Sequence, residues 1–171
     1  MKYYRILFAA IMTFWVSNAI SAPLGEVRGC GERQQDITEA ANVLLSGWDT
    51  WTEVVAKQTR LKIDDCVRDR LANTGVILCL STPKGKCQDN TAWTNPRHQK
   101  ISFCPSLLTQ LDAIPSPSDR LACYAAIMVQ QFANSCSDNF DAGSQVLADA
   151  TFDWYAQTHH LTIQKTDCRF Q

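Results

Sequence analysis

The sequence predicts an α+β fold: a mainly helical single domain with a small antiparallel sheet, stapled by disulfides. Three observations point there. Apolar residues recur at three- and four-residue steps through most of the chain, the stripe of helices packed on a core. Short β-type runs are confined to residues 76–103, flanked by turn residues. Eight cysteines, an even number, all follow an N-terminal segment laid out as a secretory signal.

In residues 1–21, MKYYRILFAAIMTFWVSNAIS, Lys2 and Arg5 precede an apolar run from Ile6 to Val16 and small residues follow. Ala19-Ile20-Ser21 is a small-x-small pattern, so cleavage is expected before Ala22, with the alternative cut before Pro23. The apolar run is too short to span a bilayer, which needs about 20 residues. Removing 21 of 171 residues leaves 150, the length of one domain, expected to be secreted and extracellular. Lys2 and Arg5 leave with the signal, so the 16 basic residues fall to 14 against 17 acidic ones, a formal charge of −3. With no basic patch, binding to nucleic acid or an anionic membrane has no electrostatic support, and the chain reads as a monomer.

From Arg33 to about Gln58, Ile37, Ala40, Val43 or Leu44, Trp48, Trp51 and Val55 form one helical stripe, with both tryptophans expected in the core. A shorter helix is expected from Asp64 to Asn73, stopped by Gly75 as a C′ residue. Asp64 and Asp65 are neighbours about 100° apart on a helix, so they read as charges at a helix start rather than a catalytic pair. Val76–Leu80, Thr91–Thr94 and Lys100–Phe103 are the strand candidates, with turn chemistry at Ser81–Gly85 and Asn95-Pro96.

A central helix begins at Ser116-Pro117-Ser118-Asp119: a capping serine, a proline suited to the first turn, and an acid three residues after the cap. Leu121, Tyr124, Ala125, Met128 and Phe132 mark its buried side, and no His, Asp or Glu follows Asp119 within it. A last helix starts at Asp141 or Ser144 and runs to about Thr158, with Val146, Leu147, Ala150, Trp154 and Tyr155 facing the core. The tail ends with Cys168, expected to be tied back by a bridge. Eight cysteines allow 105 pairings. The absence of Cys-x-x-Cys and of a Cys-Cys doublet argues against zinc ribbons, redox motifs, and hydrophobin or lipid-transfer scaffolds.

Cys79-x7-Cys87, then Ala92-Trp93-Thr94-x-Pro96, then Ile101-x-Phe103-Cys104 resembles the deuterolysin-type secreted fungal zinc proteases, the aspzincins. Asp153-x-Tyr155-Ala156 is similar to that family's Asn-Ala-Asp-x-Tyr-Ala segment, and Cys30, Cys123 and Cys168 fall where the family has cysteines. The resemblance covers most of residues 30–168 and implies a metalloprotease-like (zincin-like) domain over residues 22–171. It also implies the bridges Cys30–Cys79, Cys87–Cys104 and Cys123–Cys168; arithmetic then leaves Cys66 with Cys136.

In that family the central helix carries His-Glu-x-x-His. Two histidines at i and i+4 bind zinc, a glutamate takes a proton from the bound water, and an aspartate in Gly-Thr-x-Asp completes the ligands. The matching stretch here is Val129-Gln130-Gln131-Phe132-Ala133. Val129 and Ala133 have no metal-binding atom, and the Gln130 amide cannot act as a general base. In Ser135-Cys136-Ser137-Asp138 only Asp138 keeps the ligand type, after a shorter connection, and one carboxylate cannot hold a catalytic zinc.

Other chemistry has little to build on. His159 and His160 are adjacent, and His98 stands beside Arg97 in a polar loop. Ser144 lies outside a Gly-x-Ser-x-Gly elbow, and bridged cysteines are not nucleophiles. The expectation is a pseudoenzyme with no cofactor, metal or catalytic residue, binding an extracellular protein or peptide. A vestigial cleft at Val129, Gln130, Ala133 and Asp138, with Gln131 and Asn134 nearby and Trp93 as an aromatic neighbour, is the expected surface. The resemblance and secretion together suggest a fungal effector. The competing reading is an active secreted metalloendopeptidase or another hydrolase with a non-standard site.

Overall fold

The computed structural model describes residues 25–59, 64–136 and 141–169. The expected signal peptide and Asp138 lie outside the described residues. In chain order the elements are β1 (Glu26–Arg28), α1 (Arg33–Ser46), α2 (Trp48–Gln58), α3 (Asp64–Asp69), β2 (Val76–Cys79), β3 (Ala92–Asn95), β4 (Lys100–Phe103), α4 (Pro105–Asp112), α5 (Pro117–Cys136) and α6 (Asp141–Thr158). Mainly helical, with one small sheet and four disulfides, this is an α+β domain.

Helix α5 is the hub. Ser116 Oγ accepts the backbone N–H of Asp119 at 3.3 Å, the cap its sequence calls for. The buried surface is wider than the expected stripe: every residue from Leu121 to Val129 is buried, and so are Gln131, Phe132 and Ala133. A helix apolar all round needs neighbours all round. α5 has them in α1, α3, α4 and α6 and in strands β3 and β4.

The four strands are ordered β1-β2-β4-β3. Only β3 and β4 run antiparallel, as expected of the whole sheet; β1–β2 and β2–β4 are parallel. Parallel neighbours need a long crossover, and α1, α2 and α3 supply it between β1 and β2. The antiparallel pair is joined by the short turn Pro96–His98, closed by Gln99 in the left-handed region at φ 54°.

Gly47 divides the expected Arg33–Gln58 helix in two. A Cβ there would stand 2.4 Å from a ring carbon of Trp154, so the split lets α6 approach closely. Trp154 Nε1 donates to Thr50 Oγ1 at 3.0 Å, and Trp51 Nε1 to Thr151 Oγ1 at 2.9 Å. Both Trp48 and Trp51 are buried, their ring centroids 4.3 Å apart. The second helix is shorter than expected, ending at Asp69 and continuing as one π-type turn, Arg70–Thr74. Gly75 is not a left-handed C′ residue, since its φ is −74°. Glycine is needed because a Cβ would lie 2.2 Å from the Arg70 carbonyl oxygen and 2.6 Å from the Phe132 ring. In α6, Leu147, Ala150, Trp154 and Tyr155 are buried as expected, but Val146 is exposed.

The sulfur pairs are Cys30–Cys79, Cys66–Cys136, Cys87–Cys104 and Cys123–Cys168, the same four that the resemblance and the remainder name. Both cysteines are buried in three of them, whereas Cys66 and Cys136 are only half-buried. Thiol–disulfide exchange needs access to sulfur. Mild reduction followed by alkylation and peptide mapping should therefore label Cys66 and Cys136 first. Equal labelling of all eight would refute the burial argument.

Beyond the expected signal, the chain has two tyrosines, Tyr124 and Tyr155, both buried. Burial pushes each phenol up to about 12, Asp112 adding to the effect at Tyr124 and Glu39 at Tyr155. The Tyr124 hydroxyl has no hydrogen-bond partner among the described residues. A raised pKa means that the folded state favours the protonated form. The stability it carries is whole below the ordinary value of about 10 and is lost as pH rises through about 12. Ultraviolet titration should show no phenolate step near pH 10, and ionisation should coincide with loss of the circular dichroism signal. A reversible step near pH 10 in the folded protein would contradict this.

Candidate functional site

A groove of about 520 Å³ opens where α5, α6, the start of β3 and the end of the tail meet. Leu107, Ile127 and Ala92 supply its apolar lining. Gln130, Gln131 and Gln145 bring three carboxamides, and Asp89, Asn90, Thr91 and Arg169 also line it. Its volume lies within the usual range for ligand sites of about 300–1,000 Å³, though its lining is more polar than most.

The amides are ordered by a chain of hydrogen bonds whose direction is set at one end. Arg169 is held by the Asp149 carboxylate, its Nε at 3.2 Å and a second nitrogen closer still. That carboxylate raises the Arg169 guanidinium pKa and can itself only accept. Gln145 must then present its NH₂, and Nε2 donates to Asp149 Oδ1 at 2.9 Å. This turns Gln145 Oε1 toward Gln130, whose Nε2 donates to it at 2.9 Å. The outer end of the chain is the acceptor Gln130 Oε1.

Gln131 is held separately. The Thr94 hydroxyl lies 2.7 Å from Gln131 Oε1 and 2.9 Å from the Gln131 carbonyl oxygen. Tethering Oε1 leaves Nε2 as a donor, and no other residue among those described accepts from it. Gln131 is only 9% exposed, so its amide is fixed rather than free on a helix surface.

Of the expected cleft residues, Gln130 and Gln131 line the groove. Val129 and Ala133 do not: both are fully buried in the core. Val129 is 0% exposed and turned wholly into the core, so the groove at Gln130 does not reach it. Asn134 does not line it either, and its buried Oδ1 lacks a hydrogen-bond partner among the described residues. Trp93 is not part of the lining, because successive strand residues face opposite sides and Ala92 takes the groove side. Asp138 lies outside the described residues. Gln145, Asp149 and Arg169 carry no motif and were not singled out; they meet only when α6 and the tail pack against α5.

The remaining candidates are scattered. His98 and His160 are exposed, and His159 stacks on Tyr155 with centroids 4.2 Å apart. Asp153 accepts from Lys165 at 2.9 Å and from Gln58 at 3.2 Å, and it does not line the groove. Among the described residues no three His, Cys, Asp or Glu side chains form a group that could hold a metal ion, and no helix is long and apolar enough to cross a membrane. No family model, curated protein or solved structure matches the chain.

Proposed function

We propose that the chain is a secreted, non-catalytic metalloprotease-like protein that binds an extracellular protein or peptide partner through the groove beside α5. The observation that carries the reading is the chemistry at the positions matched to the zinc motif. Val129 and Ala133 offer no donor atom and are buried in the core, and Gln130 is a neutral amide already engaged with Gln145. Zinc does not fit these residues, since a catalytic site needs three protein ligands and an open position. What supports binding is a groove walled by oriented polar groups over an apolar lining. Four bridges suit an oxidising space outside the cell. A fungal effector acting on a host is the form of this role that the resemblance implies.

The test compares wild type with a Gln130→Ala/Gln145→Ala variant as bait in host extracellular fluid, with cross-linking to identify the captured protein. Loss of one specific partner from the variant, with its circular dichroism spectrum unchanged, is the expected result. Equal recovery of that partner by both proteins would overturn the groove as the binding surface. About one tightly held zinc per purified chain, with chelator-sensitive cleavage of casein, would overturn the non-catalytic reading.

A further inference from the structure

The groove's polarity narrows what it can hold. The Asp149 carboxylate is acceptor-only, so every amide in the chain it anchors has a fixed orientation, and that chain ends in the acceptor Gln130 Oε1, to which no other described residue donates. Next to it Gln131, held at Oε1 by Thr94, presents the donor Nε2. Both residues line the same groove. The site therefore offers one oriented acceptor and one oriented donor from neighbouring residues.

Charge narrows it further. The Arg169 charge is offset by its pairing with Asp149, whereas Asp89, which also lines the groove, has no ion-pair partner among the described residues. A carboxylate ligand would meet Gln130 Oε1 without a proton to give, and would face Asp89 with like charge. An ammonium could donate to Gln130 Oε1 but would leave the Gln131 donor unmatched. Leaving a desolvated donor or acceptor unmatched costs about 1–3 kcal/mol, which is about one to two powers of ten in affinity.

We infer that the groove recognises an uncharged carboxamide, the side chain of glutamine or asparagine in a peptide segment, its NH₂ donating to Gln130 Oε1 and its oxygen accepting from Gln131 Nε2. The inference rests on the proposed role of the groove as the binding face. It adds a side-chain preference that the resemblance does not supply.

The test uses three short peptides, acetyl-Ala-X-Ala-N-methylamide with X as Gln, Glu or Lys, and maltotriose as a neutral polyhydroxyl probe. Each is titrated to millimolar concentration into ¹⁵N-labelled mature protein, following the side-chain NH₂ resonances of Gln130, Gln131 and Gln145. The Gln peptide should move those resonances and bind about tenfold or more tightly than the Glu and Lys peptides. Gln130→Met, which keeps chain length but loses the acceptor, should weaken it by a similar factor while leaving the backbone spectrum unchanged beyond the groove. No shift with the Gln peptide, equal binding of Glu or Lys, or stronger shifts with maltotriose would overturn the inference. If a captured partner depends on Gln130 and Gln145 but the Gln peptide does not bind, this preference falls and the groove's role stands. Partner capture indifferent to both residues would remove the role itself.

Discussion

Introducing histidine at both Val129 and Ala133 is expected to destabilise the fold strongly and to create no zinc site. Both side chains are fully buried on the hub helix, packed among apolar neighbours. Each substitution adds volume to a filled core, at about 1–3 kcal/mol, and buries ring nitrogens without partners, at about 1–3 kcal/mol more. Together the pair should cost about 4 kcal/mol or more, a large share of the 5–15 kcal/mol typical of a whole domain. Adding Gln130→Glu should not rescue it, because the charge would enter a chain in which Gln130 must donate to Gln145. Urea unfolding and elemental analysis of the purified triple variant provide the check. A stable triple variant with stoichiometric zinc would place both positions on an open face and restore the protease reading.

Asp119→Ala is expected to cost about 3 kcal/mol, from two charge-assisted hydrogen bonds and one stranded donor. The Asp119 carboxylate is wholly buried at the start of α5. It accepts the Thr162 backbone N–H at 2.9 Å, and the Thr162 hydroxyl donates to its other oxygen. It thus fastens the tail to the hub helix, 43 residues away in sequence. Asp119→Asn should lose less, since one amide oxygen still accepts. Urea titration gives the magnitude, and hydrogen exchange at the Thr162 amide gives the location. A change within about 0.5 kcal/mol would mean that the carboxylate is dispensable.

Local signals in the sequence located the hub helix well. Its start was visible in Ser116, Pro117 and Asp119; strands β2 and β4 fell within the expected runs, and β3 lies one residue further on than expected, taking in Asn95. Helix α4 was passed over, although Pro105 opens it and Leu107, Leu108 and Leu111 give its period. Strand β1 is three residues long, too short for any pattern, and exists because β2 pairs with it. Strand direction depends on how the chain crosses over, which no local pattern carries, so two parallel pairings were missed. The break at Gly47 carried no local signal, and Gly75 was read as a C′ residue, for a related reason: what demands glycine is a ring brought in by α6 at Gly47 and by α5 at Gly75. The groove shows the same limit. Gln130 and Gln131 were picked out by their place in a resemblance, but their roles depend on Gln145, Asp149, Arg169 and Thr94, which tertiary packing alone brings to them.

The four bridges have a consequence for a chain whose backbone is cut. The loops closed by Cys30–Cys79, Cys66–Cys136 and Cys123–Cys168 overlap in series, so together they span every peptide bond from residue 30 to residue 168. A protease that severs the backbone once anywhere in that interval cuts inside a closed ring, and both fragments remain one covalent molecule. Nicked protein should run at full mass on a non-reducing gel and fall into pieces only when thiol is added. Freed ends can then find their old neighbours at high effective concentration, and a single clip need not end the protein's working life.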